Sequence, residues 1–292
     1  MKLRHSKATE TTLRDIYSEL VFELRTEIEK YALKNGHLRP YQQTRAGELM
    51  ELEREAIRII NAKYPSVRNE IFNFGRESYE QSYLFPFYEA YQRYGYSLLI
   101  PDSLESEALS ALDSIISGRT LSQRLYNERD KLAARATKEI ALGSMMGKSV
   151  PEVSQAISRH TGISYRNAVR IMRTESTRIS GKATEKSITD LQERAGAYGI
   201  EVTKKWLSAT DNRVRASHRE LNGQFADEDG YFTSPSGAKA KHPGGFGIAS
   251  EDINCRCTLV TEMAINGQSL KDIQKQYWEQ YGGFEEWYRN NR

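Results

Sequence analysis

The run TLRDIYSELVFELRTEIEKYALK (residues 12–34) sets Leu13, Ile16, Tyr17, Leu20, Leu24, Ile28 and Tyr31 three or four residues apart. That spacing is the apolar stripe of an amphipathic helix, which Asn35-Gly36 ends and Pro40 keeps from resuming. The same pattern extends outward over most of the chain. A second helix is expected over residues 42–62, with Leu49, Leu52 and Ile60 inward, a break at Tyr64-Pro65-Ser66, and Ser66 capping the next segment. Residues 71–96 are rich in aromatics, and Tyr79, Tyr83, Phe87, Tyr91 and Tyr94 keep helical spacing. Such a stripe fills a core or meets a partner more readily than it stacks nucleic-acid bases. Pro86 is expected to kink or interrupt that helix. Further helices are expected over 103–116, 121–142 and 149–160, then from a cap at Ser164 to about Arg194, with Gly143 and Gly147 making the break before Ser149.

Composition agrees with a wet, helical protein. The 292 residues are 28% charged and 38% hydrophobic, with a mean hydropathy of -0.67. The length suggests about two domains. The net charge of +3 is too small to mark a polyanion binder by itself. Its distribution is uneven, however: residues 119–182 hold thirteen Lys/Arg against five Asp/Glu, a local +8 that leaves −5 elsewhere. Such a stripe suits a solvated helical face or, alternatively, a duplex backbone. The polar start MKLRHSKATETTLRD carries no signal peptide, and no apolar run approaches the ~20 residues that cross a bilayer. The expectation is a soluble chain made in a reducing cytoplasm.

The texture changes past Tyr198. Residues 202–209 read as a strand, Asp211 as the cap of a short helix reaching Leu221, and Asn222-Gly223 as a turn. A long glycine-rich loop runs from Ser234 to Gly247, and residues 255–260 close the unit as a second strand. The predicted fold is therefore α+β and predominantly helical, an extended N-terminal helical region followed by a small α+β C-terminal unit. Its divisions are expected at 1–118, 119–197 (basic helices), 198–265 (the α+β unit) and 266–292, an appended tail.

That unit gathers His218, His242, Cys255 and Cys257, the ligand inventory of a Cys₂His₂ zinc site. Strand alternation would put the two cysteines on one face. Their one-residue separation is shorter than in ordinary zinc knuckles, and two buried thiols with two satisfied histidines is the plainer reading. A disulfide across so short a ring would be strained. A nuclease would use His218 as general base, Arg215 on the phosphorane and Glu220 as acid–base partner. On one helix, though, Glu220 points away from His218, and an Asp211–Arg215–His218 structural network fits the spacing better.

Several pieces, in order, carry a resemblance: Gly147-Lys148-Ser149; Arg173-Thr174-Glu175-Ser176-Thr177-Arg178; Lys205-Trp206; Asp211-Asn212-Arg213-Val214-Arg215-Ala216-Ser217-His218; Leu221-Asn222-Gly223; His242-Pro243-Gly244; and Glu251-Asp252-Ile253-Asn254-Cys255-Arg256-Cys257. The series resembles the phage Mu F-like head-morphogenesis (minor head protein) family of tailed double-stranded DNA bacteriophages, over roughly residues 120–262. The resemblance implies a virion component present in few copies. It would be made in the host cytoplasm, sit in the head interior or at the portal vertex, and contact portal and capsid or scaffold proteins. Its work would be head morphogenesis in the procapsid or delivery of DNA at genome ejection, with non-specific double-stranded DNA a further partner and no membrane. Some relatives carry a toxin or nuclease module after this domain. Only about thirty residues follow Cys257, which favours a plain structural protein over an enzyme. A DNA-binding protein ejected with the genome, and a nuclease centred on His218, are the alternatives.

Overall fold

The computed structural model describes residues 2–40, 47–94, 101, 103–114, 119–196, 200–265 and 268–269. The tail expected over 266–292 lies, apart from Gln268 and Ser269, outside the described residues. Long helices dominate: α1 (Lys2–Lys30), α2 (Glu48–Tyr94), α3 (Leu104–Asp113), α4 (Leu121–Met146) and α5 (Val150–Ala195). Strand β1 (Ile200–Leu207), helix α6 (Ala216–Glu220), strands β2 (Phe232–Thr233) and β3 (Lys239–Ala240), helix α7 (Ala249–Asp252) and strands β4 (Thr258–Ile265) and β5 (Gln268–Ser269) follow. The fold is α+β and predominantly helical.

Two compact units divide the chain, and both are discontinuous: Met1–Phe74 with Arg119–Met172, and Gly75–Gly118 with Arg173–Arg292. Expected linear divisions meet only one of these boundaries, at 118/119. The others fall inside α2 and α5, which contribute residues to both units.

Within the first unit the stripe of α1 faces the core: Leu13, Tyr17, Leu20, Leu24 and Ile28 are each 4% exposed or less. The Tyr17 hydroxyl donates to Tyr64 at 3.3 Å, and the Tyr64 hydroxyl shares a 2.9 Å hydrogen bond with Ser164. The Tyr17 ring meets Tyr64 and Tyr165 edge-on. The link after α1 is pinned to the α4–α5 turn by two backbone hydrogen bonds, Leu38 N–H to Lys148 O at 2.8 Å and Val150 N–H to Gly36 O at 2.9 Å. Gly147, at φ 61°, closes α4 in the left-handed region. Gly143, expected in that break, is helical and packs against Val153 and Leu38.

Three expected breaks do not occur. Helix α2 runs through both Pro65 and Pro86. A proline inside a helix costs about 3 kcal/mol. Here the burial of Tyr64, Val67 and Ile71 around the first, and of Tyr83, Leu84, Phe87 and Tyr88 around the second, offsets it at about 1.5–3 kcal/mol per large side chain. Helix α5 likewise runs without a stop from Val150 to Ala195. Ser149, not Ser164, supplies its start: the Ser149 N–H donates to Glu152 at 2.8 Å and the Glu152 N–H to Ser149 Oγ at 3.4 Å. Ser164 lies buried inside the helix, where Tyr64 occupies its hydroxyl.

Tyr79, Tyr83, Phe87 and Tyr88 of the aromatic stretch are core, whereas Phe85 is exposed. Tyr83 is fully buried and its hydroxyl donates to Asp190 at 2.5 Å, while Phe87 is tilted against Tyr83 at 5.3 Å between centroids. These residues are spent inside the second unit and are not available as anchors for another protein.

Candidate functional site: a buried histidine–cysteine centre in the second unit

Strand β1 pairs with β4 antiparallel from Ile200↔Ile265 to Leu207↔Thr258, and β4 pairs with β5. Inward alternation along β1 buries Ile200, Val202 and Trp206. Trp206 anchors the local core, with Phe232 at 5.2 Å, His218 at 5.7 Å and Phe246 at 5.8 Å between ring centroids. Leu221, Ala240, Leu259 and both cysteines complete this cluster.

The cysteines precede β4 rather than lying in it, because the strand starts at Thr258. Asn254, at φ 57°, turns the backbone left-handed just before them. That turn is held against α5. The Asn254 N–H donates to Thr174 Oγ1 at 3.1 Å, and the Thr177 hydroxyl donates to Cys255 O at 2.6 Å. One helical turn along, Arg178 forms a buried pair with Glu175 at 2.8 Å and donates to Ser114 Oγ at 2.9 Å and to Ala111 O at 2.8 Å. The RTESTR segment is thus a docking rail: Thr174 and Thr177 take the cysteine turn, while Glu175 and Arg178 take the end of α3. Arg173 is exposed.

Arg256 pairs with Asp211, Nη2 to Oδ1 at 2.6 Å, and Arg215 donates to the Ile253 carbonyl. The expected Asp211–Arg215–His218 network is therefore not the one present. Nor does Asp211 cap α6: its Oδ1 accepts from the Arg213 N–H at 3.0 Å, and the residue preceding the helix is Arg215, without a side-chain cap. Hydrogen bonding to Arg256 holds the Asp211 carboxyl well below the usual carboxylate range.

His218 is 1% exposed and faces two ways. Its Nδ1 lies 3.6 Å from Cys255 Sγ and 3.4 Å from Cys257 Sγ, and its Nε2 lies 3.0 Å from Glu251 Oε2. Glu251 in turn accepts from the hydroxyls of Ser217, Ser234 and Ser236, each at 3.1 Å. Burial opposes the charge on Glu251, but these serine hydrogen bonds, with His218 nearby, win and lower its pKa. The thiols are driven apart: a hydrogen bond from Cys255, reinforced by His218, holds Cys257 down to about 5 against burial, and Cys255 is pushed up. The Trp206 indole N–H, buried without an acceptor of good geometry, also favours the Cys257 thiolate.

Of the residues singled out in the sequence, the structure brings His218, Cys255 and Cys257 together and leaves His242 outside. The His242 Nδ1 is 3.1 Å from the Pro243 carbonyl, and the ring lies over Gly245 and Gly181. The nuclease arrangement is not assembled either: Glu220 is exposed, and Arg215 is held by Ile253. Glu251 and its serines were missed. They come from three separate segments, and only the acidic pair before the cysteine turn hinted at them.

The glycines of His242-Pro243-Gly244-Gly245 let this loop cross α5 closely. A Cβ on Gly181 would stand 2.6 Å from the Pro243 carbonyl, and one on Gly244 (φ +78°) would stand 2.9 Å from Arg178 Cα. Gly244→Ala is therefore expected to destabilise the second unit by about 1–3 kcal/mol, read in urea unfolding. An unchanged midpoint would mean that the close crossing is not required.

Burial lowers the His242 pKa from its ordinary value of 6.5; the Pro243 carbonyl and Glu185 oppose this, and Arg178 and Lys204 add to it. The folded state then binds a proton later than the unfolded one as pH falls. The stability contribution is complete above about 6.5 and is lost as pH drops from there toward the folded value. His242→Asn is expected to flatten that part of the stability–pH curve. An identical curve would show that another group titrates there.

Long helices and a small sheet thus carry an NCRC turn docked on the RTESTR segment of α5. Residues 134–260 match the family described as Phage Mu protein F like protein. The minor head protein of Bacillus phage SPP1 is 29% identical over 260 residues, covering 86% of this chain and 81% of that protein. The NAD(+)–arginine ADP-ribosyltransferase EFV of Enterococcus faecalis is 31% identical over 281 residues, covering 96% of this chain. The chain spans only 57% of that relative's length. No solved structure gives a significant match. No helix among the described residues is long and apolar enough to cross a membrane.

Proposed function

We propose that the chain is a non-enzymatic minor head protein of a tailed phage or prophage, held at the portal vertex on the head interior, where it serves head assembly or DNA delivery. The likeness to the SPP1 minor head protein over most of both chains carries this reading. The site chemistry supports its non-enzymatic part. Within the described cluster, Glu251, Asp252, Cys255, Cys257 and His218 are each 6% exposed or less, so these groups are closed to a substrate. Phe22, Met145 and Met146, about two-thirds exposed on the first unit, are apolar side chains left over for attachment. Mixed with the purified portal of its phage, the chain should co-sediment with it. Separate sedimentation would remove the portal from the reading.

A second reading, contact with double-stranded DNA, is favoured by where the basic residues stand. Lys131, Arg135 and Lys138 are exposed along one line of α4, and Arg159, Arg166 and Arg170 along one line of α5. Binding to duplex DNA should weaken steeply with salt, and each Arg→Gln change at 166 or 170 should reduce the log–log slope by about 0.9. A slope the variants leave unchanged would assign these lines to solvent.

A further inference from the structure

We propose that His218 Nδ1, Cys255 Sγ and Cys257 Sγ bind one zinc ion, with His242 outside the ligand set and a water completing the coordination. The three ligand atoms lie within 4.8 Å of one another. A tetrahedral zinc with bonds of about 2.0–2.1 Å to nitrogen and about 2.3 Å to sulfur places those atoms about 3.6 Å apart. The observed separations from Nδ1 are 3.6 and 3.4 Å. Both nitrogen–sulfur separations are therefore already those of a tetrahedral site.

The surroundings prepare the ligands for that role. Ionised Glu251 can only accept, so the proton of neutral His218 sits on Nε2 and the Nδ1 lone pair faces the sulfurs. A carboxylate behind a metal-bound imidazole is the usual orienting partner, and here three serine hydroxyls fix the carboxylate in turn. Binding would release the remaining thiol protons to solvent and leave both sulfurs as thiolates. The zinc would also tie α6 to the turn before β4, two segments separated by the whole glycine-rich loop.

The same atoms could be read as a cysteine nucleophile with a histidine base and a carboxylate. Burial decides against it. Cys257 is 4% exposed and His218 1%, beneath Trp206 and Phe246. No substrate reaches a sulfur so covered, whereas a small ion can be enclosed as the unit folds.

The full chain, purified under reducing conditions without chelator, should carry about one equivalent of zinc by mass spectrometry. Cys257→Ser should fall below a tenth of that, His242→Asn should keep it, and Glu251→Gln should hold zinc about 10–100-fold more weakly. Because Cys257→Ser could fail to fold, metal-depleted wild-type chain is also titrated with Co²⁺, where a thiolate-to-cobalt charge-transfer band with tetrahedral visible bands is expected. Wild-type protein holding under a tenth of an equivalent and giving no such band overturns the site. So does zinc retained in full by folded Cys257→Ser, and so does zinc lost from folded His242→Asn.

Discussion

Arg178→Ala is expected to cost the second unit about 3–5 kcal/mol, the range for breaking a buried ion pair from one side. The guanidinium is 8% exposed and its Glu175 partner 2%. Removing it takes the cation from a buried carboxylate, and it also takes donors from the Ala111 carbonyl and Ser114 hydroxyl, where α3 ends. Urea unfolding measures the loss. The double change Glu175→Gln with Arg178→Met should cost less than the sum of the two singles, since each single leaves a charge behind. Additive costs would mean that the two side chains act separately and that the RTESTR rail is not organised by this pair.

Trp206→Ala should be comparably severe, about 3–5 kcal/mol for deleting a fully buried Trp. The indole touches Phe232, Phe246 and His218 at once, so the cavity opens in the middle of the cluster rather than at its edge. Trp206→Phe, which keeps an aromatic face but gives up volume and the indole N–H, should cost clearly less. Equal losses would point to the indole N–H beside Cys257, and not the packing, as the dominant contribution.

The helical part of this fold was legible because periodicity reports a buried stripe directly. Of the stripe over residues 12–34, Leu13, Tyr17, Leu20, Leu24 and Ile28 are buried as their positions required, while Ile16 and Tyr31 are half-buried. Helix ends were less legible. Pro65, Pro86 and Ser164 all carry local stop or start signals, and at each the chain continues because neighbouring aromatic and aliphatic burial outweighs the local preference. The helical aromatics Tyr83 and Phe87 were read as able to serve either core or partner, and only the packing separates those uses.

For the site, scarce residue types were a sound guide and pairings were not. His218, Cys255 and Cys257 were drawn together by rarity, and they meet. His242 was drawn in by the same rarity, yet its loop is committed to crossing α5 at Gly181. Arg215 and Asp211 have the four-residue spacing of helix partners, but each turns to the cysteine turn instead, one to Ile253 and the other to Arg256. Glu251 was invisible as a histidine partner because its contacts span 33 residues of chain. In three dimensions Thr174, Thr177, Asp211 and Arg215 hold the turn that carries Cys255, Arg256 and Cys257, His218 stands against both sulfurs, and the Glu175–Arg178 pair takes the end of α3.

The most direct test of the central claim is the protein composition of purified heads. Quantitative mass spectrometry of procapsids and mature particles from the phage or induced prophage should find this chain in both. Its copies should be few relative to the major capsid protein, and it should be absent from heads made without its gene. Particles that lack the chain while it accumulates free in the lysate would contradict the account.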